Sequence, residues 1–191
     1  MLRRISGARL DAALPDLARL RTRVFRAWPY LYRGDEAYER RYLATLAAAQ
    51  GAVIVGAFHG TRMVGAATVC PLVHADEAFC APFEAGGYDV ADWFYFGESV
   101  LEPNYRGRGI GVAFFRERED AAREQGFTRT CFCAVERDPD DPRRPGDYRA
   151  LDGFWHRRGY GPLGLTTGYS WRDVDAMAES EKRMTFWGRE L

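Results

Sequence analysis

Apolar residues recur at two different spacings along the chain, and each spacing predicts a different kind of element. A helix near the N-terminus is expected to end near Trp28, and its apolar positions are Leu14, Leu17, Leu20 and Val24. A second helix is expected to follow Asp35, whose side chain can cap it, and to end near Gly51. Two further helices are predicted over residues 111–125 and 147–158, and each is followed by a glycine.

Alternating or β-branched runs predict the strands. They cover residues 2–6, 52–58, 63–72, 93–101, 128–135, 166–171 and 184–191. The resulting order, β-α-α-β-β-β-α-β-α-β-β, predicts one mixed α/β sheet rather than a repeating βαβ array. We expect a single domain over residues 1–191. The segment 71–92 reads as a long irregular connection, and such loops are more often functional than idle.

Composition narrows the class of protein without identifying a partner. A hydrophobic fraction of 47% and a charged fraction of 28% are ordinary for a globular domain. The formal net charge of zero gives no indication of a nucleic-acid or membrane partner. The N-terminus lacks the apolar stretch of a signal peptide, and no apolar run approaches the roughly 18 residues of a membrane span. We therefore expect a soluble, cytoplasmic protein.

The cysteines do not suggest a metal site. Cys131 and Cys133 share one face of a predicted strand, and no further ligands stand at zinc-finger spacing. We interpret both as buried thiols and expect no bound metal.

The candidate chemistry lies in Arg106-Gly107-Arg108-Gly109-Ile110-Gly111, between a predicted strand and a predicted helix. Glycines leave the backbone open to a ligand, and the first amides of a helix have no internal acceptors and lie at the positive end of the helix dipole. A diphosphate fits such a loop, and two arginines add positive charge. The glycine spacing matches neither a Walker A loop nor a dinucleotide-binding fingerprint.

This loop resembles the coenzyme A loop of the GNAT family of N-acetyltransferases, Arg/Gln-x-x-Gly-x-Gly/Ala. It is preceded here by the typical Leu-x-Pro-x-Tyr as Leu101-Glu102-Pro103-Asn104-Tyr105. The element order and the stretch from Phe154 to Tyr160 are similar too. The resemblance implies the GNAT fold, a mixed central sheet splayed between its fourth and fifth strands with about four helices. It also implies acetyl-CoA as cosubstrate.

The resemblance assigns roles to residues of this chain. Main-chain groups of Ser99 and Leu101 would contact the pantetheine and thioester, and one amide would polarise the acetyl carbonyl. The amides of residues 106–112 would hold the pyrophosphate; these residues are Arg106, Gly107, Arg108, Gly109, Ile110, Gly111 and Val112. Direct attack by an amine needs a base, and Glu98, a carboxylate in mid-strand, is the candidate. Its alternative role is an ion pair with an arginine of a neighbouring element.

The proton donor to the leaving thiolate is open. The family often places a tyrosine four residues before the helix-ending glycine, and Trp155 stands there instead. An indole N–H is not a useful acid. Tyr148, expected on the same helix face as Trp155, is the candidate, with Tyr160 or water as alternatives.

The resemblance implies that the loop between the first two helices contributes to the acceptor site. Trp28, Tyr30 and Tyr32 would stack on an aromatic acceptor or surround a cation, or they anchor the loop to the core. The expected function is transfer of acetyl from acetyl-CoA to a primary amine in a ternary complex. The acceptor is a small molecule or a protein amine, and a homodimer stays open. The alternative is an acyl-CoA-binding sensor or interaction module without catalysis.

Overall fold

The structure, a computed structural model, describes residues 1–191, and the side chain of Glu36 lies outside the description. Its strands form one sheet of seven in the order β1-β2-β3-β4-β5-β7-β6. The strands are β1 (Leu2–Ser6), β2 (Val53–His59), β3 (Arg62–Pro71), β4 (Trp93–Leu101), β5 (Arg129–Val135), β6 (Gly161–Trp171) and β7 (Ser180–Glu190). The helices are α1 (Leu10–Phe25), α2 (Glu36–Ala48), α3 (Glu77–Ala85), α4 (Ile110–Glu124) and α5 (Asp152–His156).

The pairing of the strands matches the mixed sheet that the sequence predicts. Strands β4 and β5 run parallel, whereas the other neighbouring pairs are antiparallel. Helix α1 ends at Phe25, three residues before the predicted end near Trp28. Helix α2 begins as predicted, because the Asp35 carboxylate accepts a hydrogen bond of 2.8 Å from the Tyr38 amide.

The prediction of an irregular connection over residues 71–92 is wrong, because this segment contains helix α3. Asp76 caps the helix by accepting a hydrogen bond of 2.9 Å from the Ala78 amide. Phe79 and Phe83 on its inner side are buried against the sheet. Pro82 lies inside the helix, and its presence in the sequence favoured a loop.

The predicted helix over residues 147–158 is also wrong in length. Only Asp152–His156 is helical, and Tyr148 lies outside the helix. The preceding residues form turns instead, one of them closed by a hydrogen bond of 3.0 Å from the Tyr148 amide to the Pro145 carbonyl. Tyr148 and Trp155 therefore do not share a helix face. Gly159 follows with φ of +79°, the left-handed conformation expected after a helix.

Helices cover both faces of the sheet. The alternation of side chains along the strands places Ile54 among the apolar residues of α1 and α2, and Val55 beside Phe114 of α4. Helix α3 lies on the same face as α1 and α2, because Cys70 and Tyr95 are cross-strand partners on that face. None of the helices in the described part of the chain combines the length and apolar character that crossing a membrane requires.

Candidate functional site

A gap opens in the middle of the sheet where two parallel strands separate. Strands β4 and β5 pair only from Trp93–Arg129 to Tyr95–Cys131. Beyond that point β4 continues to Leu101 and β5 continues to Val135. The free edges of both strands therefore border a cleft, as the sequence resemblance predicts for the fourth and fifth strands.

A β-bulge in β4 lies at the start of this gap. Ala67 pairs with Ser99, whereas Val69 pairs with Phe96, so Gly97 and Glu98 together oppose Thr68. The Glu98 amide donates a hydrogen bond of 2.9 Å to the Thr68 hydroxyl oxygen. A Cβ on Gly97 would approach that oxygen to 2.5 Å, so this position of the bulge requires glycine.

The main-chain groups after the bulge alternate between β3 and the gap. The Glu102 amide donates to the Val64 carbonyl at 3.0 Å, on the β3 side. By alternation, the main-chain groups of Ser99 and Leu101 point away from β3 and toward the gap. The Leu101 carbonyl accepts a hydrogen bond of 3.3 Å from Arg106 Nε, so this oxygen already has a partner.

The glycine-rich loop after β4 has the geometry of an anion site. Gly107 and Gly109 adopt φ values of +74° and +78°, which other residues adopt only with strain. Helix α4 begins at Ile110, and the first amide in it with a main-chain acceptor is that of Ala113, which donates to the Gly109 carbonyl at 3.0 Å. Among the described residues, the amides of 110–112 have no main-chain acceptor. A Cβ at Gly107 or Gly109 would meet nothing within 4 Å, so the space beside them is open.

The loop departs from the predicted cradle at its first residue. The Arg106 amide donates to the Pro103 carbonyl at 3.0 Å and so is not free for a phosphate, contrary to the expectation that the amides from 106 onward all point to it. The Arg108 guanidinium lies over the Tyr105 ring, 5.5 Å from its centroid. The available amides begin at Gly107, and the residues present fit a diphosphate there.

Glu98 lies in a buried ionic cluster on the face of β4 that is turned toward α1. Its carboxylate pairs with the Arg21 guanidinium and accepts a hydrogen bond from the Thr68 hydroxyl. Arg21 Nε also donates to Glu39 Oε2 at 2.7 Å. Burial lowers the pKa of Arg21, but the charges of Glu98 and Glu39 more than offset this, so its pKa lies above the ordinary value. Glu98 therefore has the arginine partner that was its alternative role, and it also faces a cleft.

That cleft consists of two adjoining cavities of about 240 Å³ and about 70 Å³. Both are bordered by helices α2 and α3 and strands β4 and β6. Seven residues line both cavities: Tyr38, Tyr42, Phe79, Tyr95, Gly97, Glu98 and Tyr169. Aromatic side chains thus form most of the shared wall, with one carboxylate among them.

The aromatic loop between α1 and α2 is anchored through its main chain. The Tyr30 carbonyl accepts hydrogen bonds of 2.8 Å from Arg137 and 2.9 Å from the Trp171 indole. Tyr30 and Tyr32 nevertheless line the smaller cavity, so their rings can contact a ligand. Trp28 does not line either cavity and packs edge-on against Tyr148, with ring centroids 6.1 Å apart.

The environments differ among Tyr148, its alternative Tyr160, and Trp155, which stands at the family's usual tyrosine position. Tyr160 is buried, and its hydroxyl bonds Thr130 (3.0 Å) and Glu119 (3.1 Å), so it belongs to the core. Trp155 packs against Phe132 and Trp187. Tyr148 lies in the loop before α5, and partial burial raises the pKa of its hydroxyl.

Sequence reasoning missed Arg21, Glu39 and Tyr42, which surround Glu98. A signal was present in α1, where Arg21 occupies the buried face together with Leu17 and Leu20. A charged residue on an apolar face needs a buried partner. The partner itself could not be read from α1 alone.

Comparisons with known proteins agree with this geometry. The family model described as "Acetyltransferase (GNAT) family" matches residues 15–145. No curated protein matches the chain. Among solved structures, ribosomal-protein-alanine N-acetyltransferase from Brucella melitensis is 18% identical with a TM-score of 0.62, over 100% of this chain and 99% of that chain. An N-acetyltransferase from Staphylococcus aureus Mu50 is 11% identical with a TM-score of 0.63, over 100% and 97%.

A structure of aminoglycoside 6'-N-acetyltransferase complexed with coenzyme A is 11% identical with a TM-score of 0.62. The alignment covers 100% of this chain and 96% of that chain. At these identities the likeness shows a shared fold, whereas the family match covers the sequence from α1 through the glycine-rich loop and beyond.

Proposed function

Because the chain belongs to the acetyltransferase (GNAT) family, we propose that it transfers the acetyl group of acetyl-CoA directly to a primary amine within a ternary complex. The observation that carries the proposal is the gap between β4 and β5, with a phosphate-binding loop on one side and a carboxylate-bearing cleft on the other. All seven strands belong to one sheet, which supports one acetyltransferase domain over residues 1–191.

The cosubstrate side is formed by main-chain groups. Acetyl-CoA supplies the activated thioester. The amides of residues 107–112 would bind its pyrophosphate at the N-terminus of α4, assisted by the charges of Arg106 and Arg108. Ser99 and Leu101 direct main-chain groups into the gap, where an amide can stabilise negative charge on a carbonyl oxygen. This arrangement needs no side-chain nucleophile.

The acceptor side requires removal of a proton, because an alkylamine is mostly protonated near neutral pH. Glu98 is the candidate base. Arg21 and Thr68 each engage one of its oxygens, but a carboxylate oxygen has two lone pairs and can still accept a proton. Protonation of Glu98 would neutralise its carboxylate and leave Arg21 paired with Glu39. The charges of that buried pair cancel.

Tyr148 remains the candidate for protonating the leaving sulfur, now as a loop residue. Its hydroxyl is partly buried, and its ring contacts Trp28. A departing thiolate is a tolerable leaving group, so water is the competing donor.

The proposal is tested by Gly109→Leu, which adds a side chain in the phosphate-binding loop. We expect it to abolish the rise in melting temperature that acetyl-CoA gives the unchanged protein. Gly126→Leu is the matched control, because Gly126 follows the same helix with φ of +84° and equally open surroundings. Both changes introduce similar backbone strain, but only the first lies where the phosphate would bind.

Turnover is measured as release of free coenzyme A with a panel of primary amines. Normal acetyl-CoA binding by the Gly109→Leu protein would overturn the assignment of the loop. Binding by the unchanged protein without turnover of any amine would favour a non-catalytic acyl-CoA-binding module instead.

A further inference from the structure

We propose that the acceptor is a small primary amine carrying a flat aromatic group, with its ammonium at Glu98 and its ring among the tyrosines of the cleft. This inference rests on the proposed function and names the substrate class of the same site. Three independent features of the cleft lead to it: its charge, its walls and its size.

The charge of the buried cluster is unbalanced. Glu39 and Glu98 share one guanidinium, that of Arg21, and all three side chains are buried. Among the described residues, Glu39 Oε1 has no hydrogen-bond partner. The cluster thus carries one negative charge in excess, and buried charge without a counterion is costly. Arg41 and Asp76, which also line the larger cavity, carry opposite charges, so an ammonium group that enters the cleft beside Glu98 would restore the balance.

The walls are aromatic faces and edges. Tyr38 and Tyr42 stack with ring centroids 6.1 Å apart, and Phe79 stacks on Tyr95 and Tyr169 at 5.1 Å each. Aromatic faces attract a cation and also stack on a second ring. An amine attached to an aromatic group uses both properties, whereas a saturated amine uses only the first.

The size of the cleft restricts the acceptor further. The larger cavity has about 240 Å³ and the smaller about 70 Å³. Drug-sized ligands occupy pockets of roughly 300–1,000 Å³. The two adjoining cavities together lie at the lower end of this range, so the cleft suits a small acceptor such as a single ring with a short amine chain.

The first experiment is calorimetric titration of the protein saturated with coenzyme A, which prevents turnover. Three probes with the same ring size and chain length are compared: 2-phenylethylamine, 2-cyclohexylethylamine and 2-phenylethanol. We expect the aromatic amine to bind roughly two- to tenfold more tightly than the saturated amine, as ring contacts contribute. The alcohol should bind at least about tenfold more weakly than the aromatic amine because it lacks the positive charge.

The second experiment removes the excess charge without altering the cleft wall. Glu39 does not line either cavity, so Glu39→Gln should leave the shape of the cleft intact. We expect this variant to bind 2-phenylethylamine roughly tenfold more weakly, as the loss of one of two nearby carboxylates implies, and to bind 2-phenylethanol unchanged. Glu124→Gln is the control, since this exposed residue of α4 pairs with Arg4 of β1 and lines neither cavity.

The outcomes separate this inference from the proposed function. Equal binding of the three probes, or unchanged amine binding by Glu39→Gln, overturns the aromatic-amine assignment while the acetyltransferase proposal stands. Tighter binding of an alanine-initiated tripeptide than of 2-phenylethylamine also overturns it, in favour of a protein N-terminus. Failure of coenzyme A itself to bind would contradict the proposed function instead.

Discussion

Two buried arginines lie on opposite faces of the sheet beside β4, and their surroundings differ in charge. Arg21 on the α1 face contacts two carboxylates, those of Glu39 and Glu98. Arg118 on the α4 face lies over the rings of Phe96 and Phe115, with 4.3 Å and 4.8 Å to their centroids.

Among the described residues, Arg118 forms no ion pair. Its polar contacts are the Phe114 carbonyl at 3.2 Å and the Ser99 hydroxyl at 3.5 Å. Burial lowers the pKa of its guanidinium to about 10, which still leaves it protonated at neutral pH. The face of β4 toward α1 therefore carries an excess negative charge, whereas the face toward α4 carries an unpaired positive one. The negative face suits an ammonium group, as the proposed acceptor would supply.

The largest expected effect comes from the acceptor side. Glu98→Gln keeps the shape of the side chain but removes its charge and basicity, and it replaces one of the two acceptor oxygens with a donor. We expect turnover to fall roughly 10²–10⁴-fold, as for the loss of a general base. Affinity for acetyl-CoA, measured by calorimetry, should change little, because Glu98 faces the cleft bordered by α2 and α3 rather than the gap between β4 and β5. A variant with an unaltered pH–rate profile would exclude Glu98 from proton transfer.

The next effect is on stability rather than turnover, and it is expected when the two arginines are exchanged for methionine in separate variants. Arg21→Met leaves two carboxylates buried without a counterion, which should lower the free energy of unfolding by about 3–5 kcal/mol. Arg118→Met breaks no ion pair and should cost much less, because an apolar side chain suits its aromatic surroundings. Urea unfolding of both variants measures the difference. Equal losses would show that the contrast between the two arginines has no energetic consequence.

The smallest effect is expected from Tyr148→Phe, which tests whether the cosubstrate side needs a proton donor. Water competes with the Tyr148 hydroxyl as proton donor and a thiolate is a tolerable leaving group, so the hydroxyl should contribute little. We expect a loss of turnover confined to alkaline pH and well below the roughly 10²–10⁴-fold of a general acid. His156→Ala, an exposed neighbour of Trp155, is the control. A collapse in the Tyr148 variant as large as that of Glu98→Gln would make Tyr148 the acid.

Local features of the site could be predicted from the sequence because their signals are local. Strand β4 has the predicted bounds of 93–101, and the loop after it leaves open space beside Gly107 and Gly109, as the glycines predict. Asp35 caps α2 as predicted. In each case the residues that decide the conformation are neighbours in the chain.

Predictions that depended only on local sequence patterns were less accurate. Helix α5 is only Asp152–His156, because the preceding residues are held in turns and ion pairs, such as that between Arg143 and Asp173. Helix α3 was missed because Pro82 favoured a loop, although burial of Phe79 and Phe83 stabilises the helix. Tertiary contacts outweigh local propensity at both places.

The sequence by itself determined that seven strands form one mixed sheet, the family, and the position of the glycine-rich loop before α4. Only the tertiary structure decided what faces Glu98. Arg21 is 77 residues from Glu98 and 18 from Glu39, and the cleft combines side chains of α2, α3, β4 and β6. A periodic pattern indicates which side of an element is buried, but it carries no information about the residue that packs against that side. The charge balance of the site is therefore a property of the folded chain, set by which elements the sheet brings together.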